Sequence, residues 1–154
     1  MSSSNVANKR ELTLIILKPD AVQRGLIGKI IQRFEQKGLK LLALKLMMAN
    51  EELLKEHYIE HANRHFFNPL LKFMSSGPVV PMVWEGLNAV KIAPKGKSDP
   101  SLSAPGTIRG DLSVDIERNL ILGSDSVEAA LREIDLWFKK EEMIKWSQNS
   151  NDIL

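Results

Sequence analysis

The chain has 154 residues, no cysteine and a formal charge of +2, from 21 Lys and Arg against 19 Asp and Glu. This is one domain's length, enough to bury a core unaided, and the missing thiols exclude disulfide scaffolds, thiolate zinc sites, iron–sulfur clusters and cysteine nucleophiles. Apolar residues at 44% and charged residues at 26% describe a globular chain; the small charge excess does not mark a nucleic-acid or membrane binder, and no apolar run approaches the roughly 18 residues of a spanning helix.

Residues 1–10 read as a polar, disordered lead-in without the basic-then-apolar pattern of a secretory signal. Together with the absence of cysteine, this suggests a cytoplasmic protein. Leu12-Thr-Leu-Ile-Ile-Leu17 is a short apolar run closed by Pro19, the pattern of a strand covered on both faces. Val22, Leu26, Ile27, Ile30, Ile31 and Phe34 then recur at helical spacing. Asp20 is the expected cap and Gly38 the expected C′ glycine. Leu39 to Met48 is a second strand. Asn50 caps a helix with an acidic first turn, Glu51-Glu52, continuing through Leu53, Leu54 and Tyr58. Phe66 to Met74 is a further short helix, stopped by Gly77-Pro78. Val79 to Trp84 is a third strand, whose Pro81 suggests an edge or a bulge.

Residues 93 to 113 hold Pro94, Gly96, Pro100, Pro105, Gly106 and Gly110 and form a long loop, of the kind that usually carries function. Asn119-Leu-Ile-Leu122 is a fourth strand. Gly123-Ser-Asp-Ser126 opens a last helix with Val127, Ala130, Leu131, Ile134 and Phe138 on one face. The folded domain is expected over 11–146, with 147–154 a loose tail. The order, β-α-β-α-α-β-loop-β-α, predicts an α/β layered fold with one sheet.

Four constellations can carry chemistry. Lys18, at a strand end, can address a phosphate, although position alone favours a plain charged terminus. Arg109, between Gly106 and Gly110, can grip phosphate oxygens, or pair with Asp111 on the surface. Asn119 to Ser126 ends a strand at a helix start, which suits either an anion or simple capping by Ser124 or Ser126. His57, His61 and His65 are four apart and could share a helix face for zinc, but Asn63 and Phe66-Phe67 suggest that the helix stops, and no carboxylate pattern completes a metal site. Phe66 and Phe67, with Leu70 and Leu71, could stack on a base, but read by default as core. These features amount to a site for a phosphate-bearing ligand, without a Walker loop or a dinucleotide fingerprint.

A longer series is more specific: Leu17-Lys-Pro-Asp20, Val22-Gln-Arg-Gly-Leu26, Arg33-Phe-Glu-Gln-Lys-Gly38, His57-Tyr58, Ser76-Gly-Pro-Val-Val80, Met82-Val-Trp-Glu-Gly86, Pro105-Gly-Thr-Ile-Arg-Gly-Asp111 and Gly123-Ser-Asp-Ser126. In this order the motifs resemble the nucleoside diphosphate kinase family from about residue 11 to about residue 142. The resemblance implies a ferredoxin-like βαββαβ fold (α+β) with a four-stranded antiparallel sheet. It implies ping-pong transfer of a γ-phosphate from a nucleoside triphosphate to a nucleoside diphosphate through a histidine. It places Phe66 and Leu70 at the base, Lys18, Ser98 and Arg109 at sugar and phosphates, and Asn119 at the ribose. Tyr58 and Glu133 match positions that support the nucleophile. Mg²⁺ would arrive on the nucleotide rather than in a protein cage. Assembly as a homo-oligomer, a hexamer or tetramer, or with active relatives, is implied as well; membrane and specific nucleic-acid partners are not.

The chain departs from the family pattern where the histidine should precede Gly-Ser-Asp: that position is Leu122. Leucine has no lone pair to attack phosphorus. The loop after Lys91 is shortened and lacks the usual phosphate-binding Arg, leaving Lys95 and Lys97, and Ser98 stands for a Thr. His65 and Pro69 are also unusual, and the aromatic-rich ending of many members is replaced by Asn151-Asp-Ile-Leu154. Three functions follow as expectations: a homologue that binds nucleotide without the phosphohistidine route, an active kinase working by another route, or a structural subunit that binds no nucleotide.

Overall fold

The structure, a computed structural model, describes residues 10–61, 63, 67–92 and 120–147. Four strands, β1 (Arg10–Leu17), β2 (Lys40–Leu44), β3 (Val80–Leu87) and β4 (Ile121–Gly123), form one sheet in the order β2-β3-β1-β4. Every pairing is antiparallel, the topology expected of the ferredoxin-like fold. Among the described residues six helices accompany it: α1 (Pro19–Gln23), α2 (Ile27–Gln36), α3 (Glu51–His57), α4 (Phe67–Met74), α5 (Ala89–Ile92) and α6 (Val127–Trp137). None of the described helices is long and apolar enough to cross a membrane.

Leu14 to Leu17 are each at most 1% exposed, because helices cover the sheet on both sides. On one face Ile15, Leu17, Met82 and Trp84 pack against Ile30 and Phe34 of α2. On the other, Leu14, Ile16 and Val83 pack against Leu54, Leu71, Met74, Ile134 and Trp137. The alternation along β1 thus feeds two cores, which is why its sequence shows no polar face.

Several boundaries differ from expectation for local reasons. The helix expected from Val22 to Phe34 is two helices, since Gly25 turns the chain with φ of +69°. Asp20 does not cap; Lys18 is the N-cap residue with Pro19 inside the first turn, and Asp20 instead meets Arg24 at 3.5 Å. Gly38, with φ of +85°, is the C′ glycine as expected. The Leu39 amide donates to the Phe34 carbonyl and the Gly38 amide to Glu35, closing the helix end. Asn50 caps α3 by accepting from the Leu53 amide at 2.8 Å.

Pro81 lies in an interior strand, not at an edge. Its missing donor is tolerated because β2 ends at Leu44. Beyond that point the Lys45 amide donates to the Pro81 carbonyl and no return bond is needed. The expected run from Leu39 to Met48 is therefore a shorter strand followed by a single Met47–Val79 bridge.

Thr13 and Trp84 face each other across β1 and β3, both fully buried. Among the described residues neither the Thr13 hydroxyl nor the Trp84 Nε1–H has a hydrogen-bond partner. An unpaired buried hydroxyl costs free energy that an apolar group of the same shape does not. Thr13→Val is therefore expected to stabilise the chain by about 1 kcal/mol, read as a higher urea midpoint at unchanged slope.

Candidate functional site

β4 is three residues long and is hung entirely on β1, with Ile15 opposite Gly123, Ile16 opposite Leu122 and Leu17 opposite Ile121. The Lys18 amide donates to the Leu120 carbonyl at 2.9 Å, extending that grip. Because paired residues share a face, Leu122 points with Ile16 toward α3 and α6. There it is half-buried and lines a cavity of about 490 Å³. The opposite wall is the end of α3, with His57 and Tyr58, and the first turns of α6.

The turn after β4 is tied down by Ser124, which is 2% exposed. Its amide donates to the Leu14 carbonyl, and its Oγ accepts from the Leu14 amide at 3.3 Å. The same Oγ donates to Glu133 Oε1 at 2.9 Å. Ser126 then caps α6, accepting from the Ala129 amide at 3.0 Å. Capping therefore falls to Ser126, while Ser124 anchors a carboxylate at the cavity.

Glu133 sits where burial disfavours its charge. Burial is the largest influence and raises its carboxyl pKa above the ordinary value; the Ser124 hydrogen bond and Arg132 act against it, and Asp125 and Glu60 add to it. Burial also pushes the Tyr58 phenol well up, helped by the nearby Glu133 charge. Tyr58 thus stays a neutral O–H through the physiological range.

His57 is 8% exposed and its Nδ1 accepts from Trp137 Nε1–H at 3.0 Å. Indole N–H is a donor only, so this bond assigns the ring proton to Nε2. In that tautomer neither ring nitrogen offers a lone pair to the cavity. The His57 ring also packs edge-on against Tyr58, with centroids 4.7 Å apart.

The structure thus brings Leu122, Tyr58 and Glu133 to one cavity. Lys18 is at the junction of β1 and α1, 8% exposed, outside the lining of that cavity. Leu70 rests on the second core. Phe66, Ser98, Arg109 and Asn119 lie outside the described residues, as do His65, Lys95 and Lys97, whereas Pro69 is exposed in the first turn of α4. His57 closes α3 and a 3₁₀ turn follows at Ile59–His61, so no continuous helix joins the histidines. Among the described residues no group of three or more His, Asp or Glu is placed to hold a metal ion. Sequence reasoning missed Glu60, Glu128 and Arg132 as cavity residues; the i,i+4 pair Glu128 and Arg132 at a helix start was the available signal.

A family model described as nucleoside diphosphate kinase matches residues 11–143. A nucleoside diphosphate kinase of Drosophila melanogaster is 54% identical over 149 residues, 96% of this chain and 97% of the relative. Nucleoside diphosphate kinase B of Bos taurus is 58% identical over 138 residues, 88% of this chain and 91% of the relative. Among solved structures, a halophilic nucleoside diphosphate kinase from Halobacterium salinarum in complex with CDP aligns with a TM-score of 0.86 at 45% identity. It covers 95% of this chain and 97% of its own.

Proposed function

The chain belongs to the nucleoside diphosphate kinase family, and from that premise we propose that it binds nucleoside di- and triphosphates but does not carry a phosphoryl group on a histidine. One observation carries this reading: Leu122 occupies the wall of the cavity at the position that precedes Gly-Ser-Asp. A hydrocarbon side chain there can neither attack phosphorus nor hold the phosphoryl group. His57 does not substitute, because Trp137 occupies the nitrogen that lacks a proton.

In this proposal Lys18, Ser98 and Arg109 would hold phosphates, Asn119 the ribose, and Phe66 with Leu70 the base. Mg²⁺ would come bound to the nucleotide's phosphates. Binding of CDP by the Halobacterium salinarum relative supports the nucleotide class. Assembly with copies of itself in the cytoplasm belongs to the same proposal; the exposed Leu44, Leu46, Met48 and Ile144 support it as an apolar surface.

Overall similarity supports a second reading better than the first. The relatives at 54% and 58% identity are named nucleoside diphosphate kinases, which favours transfer from ATP to a nucleoside diphosphate here too. That reading needs a nucleophile other than residue 122. Exchange of labelled γ-phosphate from ATP to GDP by the purified chain separates the two. Our expectation is no exchange and no acid-labile phosphoprotein, with ADP still bound. Rapid exchange would establish the kinase, and no nucleotide bound at millimolar concentration would leave a structural subunit.

A further inference from the structure

The cavity beside Leu122 carries a charge pattern that opposes a free phosphate. Among the described residues its wall presents four carboxylates, Glu60, Asp125, Glu128 and Glu133, and one guanidinium, Arg132. His57 adds no charge in the tautomer that Trp137 selects. Glu60, Asp125 and Glu128 are exposed, so water and salt screen them. Glu133 is different, with a side chain 12% exposed and a position fixed by Ser124. Its charge would act on an incoming anion at short range with little screening.

We propose that the inner end of this cavity is a proton-gated anion site, where a nucleotide's terminal phosphate enters together with one proton taken up by the Glu133 carboxylate. The proposal rests on the nucleotide-binding reading above. No bond to phosphorus forms or breaks; a carboxylate and a proton become a carboxylic acid. The site of the proton follows from Ser124. Its Oγ accepts from the Leu14 amide, and of the two acceptors in reach of its own hydrogen, the Leu14 carbonyl at 3.4 Å and Glu133 Oε1 at 2.9 Å, the carboxylate is the nearer, so Oε1 is an acceptor. The proton belongs on Oε2, which then becomes a donor able to meet a phosphate oxygen. Arg132 stands 3.7 Å from Oε2 and is half-exposed, a weak competitor for it.

The groups facing Glu133 make protonation the accessible response. Asp125 from the turn after β4 and Glu60 from the 3₁₀ turn add negative charge, as burial does, and both favour the acid form. On its own helix Arg132 opposes this, and Glu128 lines the same cavity. From the end of α3, Tyr58 stays neutral and His57 is held by Trp137. Since the carboxyl pKa starts above the ordinary value and an anion raises it further, affinity rises as pH falls.

Calorimetry of ADP without Mg²⁺, from about pH 8 to about pH 6, tests the idea in wild type and Glu133→Gln. Running each titration in two buffers of different ionisation enthalpy counts the protons taken up. Wild type is expected to take up protons on binding and to tighten roughly tenfold across that range. Glu133→Gln, which cannot ionise, is expected to bind tightly at the upper pH and to lose the protein's share of the uptake. ADP titrates equally for both proteins, so the difference between them belongs to Glu133. If the variant fails to fold, the wild-type count is repeated with the β-methyl ester of ADP, whose terminal phosphate gains no proton in this range, so that any uptake is the protein's. ADP binding with parallel pH profiles and no uptake beyond that of ADP itself would overturn the gate and leave nucleotide binding intact. Absence of binding at every pH, with and without Mg²⁺, would overturn both.

Discussion

Leu122→His is expected to raise exchange of γ-phosphate between ATP and GDP by about a thousandfold or more over the wild-type chain. The backbone of residue 122 is held by pairing with Ile16, so the new side chain would leave the strand in the same direction as the leucine. It would enter a cavity already bounded by Tyr58 and Glu133. Glu133 is anchored through Ser124 and carries acceptor capacity for an imidazole N–H, which would leave the other ring nitrogen for phosphorus. Tyr58, a neutral phenol at working pH, adds a donor on the same wall. The product to look for is an acid-labile, base-stable phosphoprotein formed from ATP alone and discharged by GDP. If the variant binds ADP but remains silent, the defect extends beyond the nucleophile. If wild type turns over as fast as the variant, residue 122 is not where the reaction runs, and the second reading of the function replaces the first.

The fold was legible where its signals are local. The apolar run ending at Leu17, the Asn50 cap and the C′ glycine Gly38 each depend on a few neighbouring residues, and each is present. Pro81 misled because its effect depends on a distant strand: whether a proline interrupts a ladder is decided by where β2 stops. The break at Gly25 was visible as a glycine, but an apolar pattern running through it concealed the turn. At the site, Tyr58 and Glu133 came from family resemblance. The bond from Trp137 to His57 joins helices 80 residues apart, and no periodicity marks such a pair. The acidic lining has the same origin, since Glu60 and Asp125 reach one cavity from separate turns.

Trp84→Ala is expected to cost about 3–5 kcal/mol, a large share of the roughly 5–15 kcal/mol that holds a domain together. Trp84 is fully buried at the centre of the first core, with its ring 5.4 Å from that of Phe34. The space left behind would not close easily. Phe34 is fixed by the helix end that its own carbonyl helps to close, through the Leu39 amide. Leu39 already lies over Gly86, where its Cδ2 would stand 2.6 Å from a Cβ, so the sheet next to the tryptophan is in contact now. Trp84→Phe separates packing from polarity. The indole N–H has no partner among the described residues, so the change loses area but breaks no hydrogen bond there. Its expected cost is under about 1.5 kcal/mol, read from the same urea titration. Equal losses in the two variants would mean that Trp84 matters through a bond of its N–H rather than through the volume it fills.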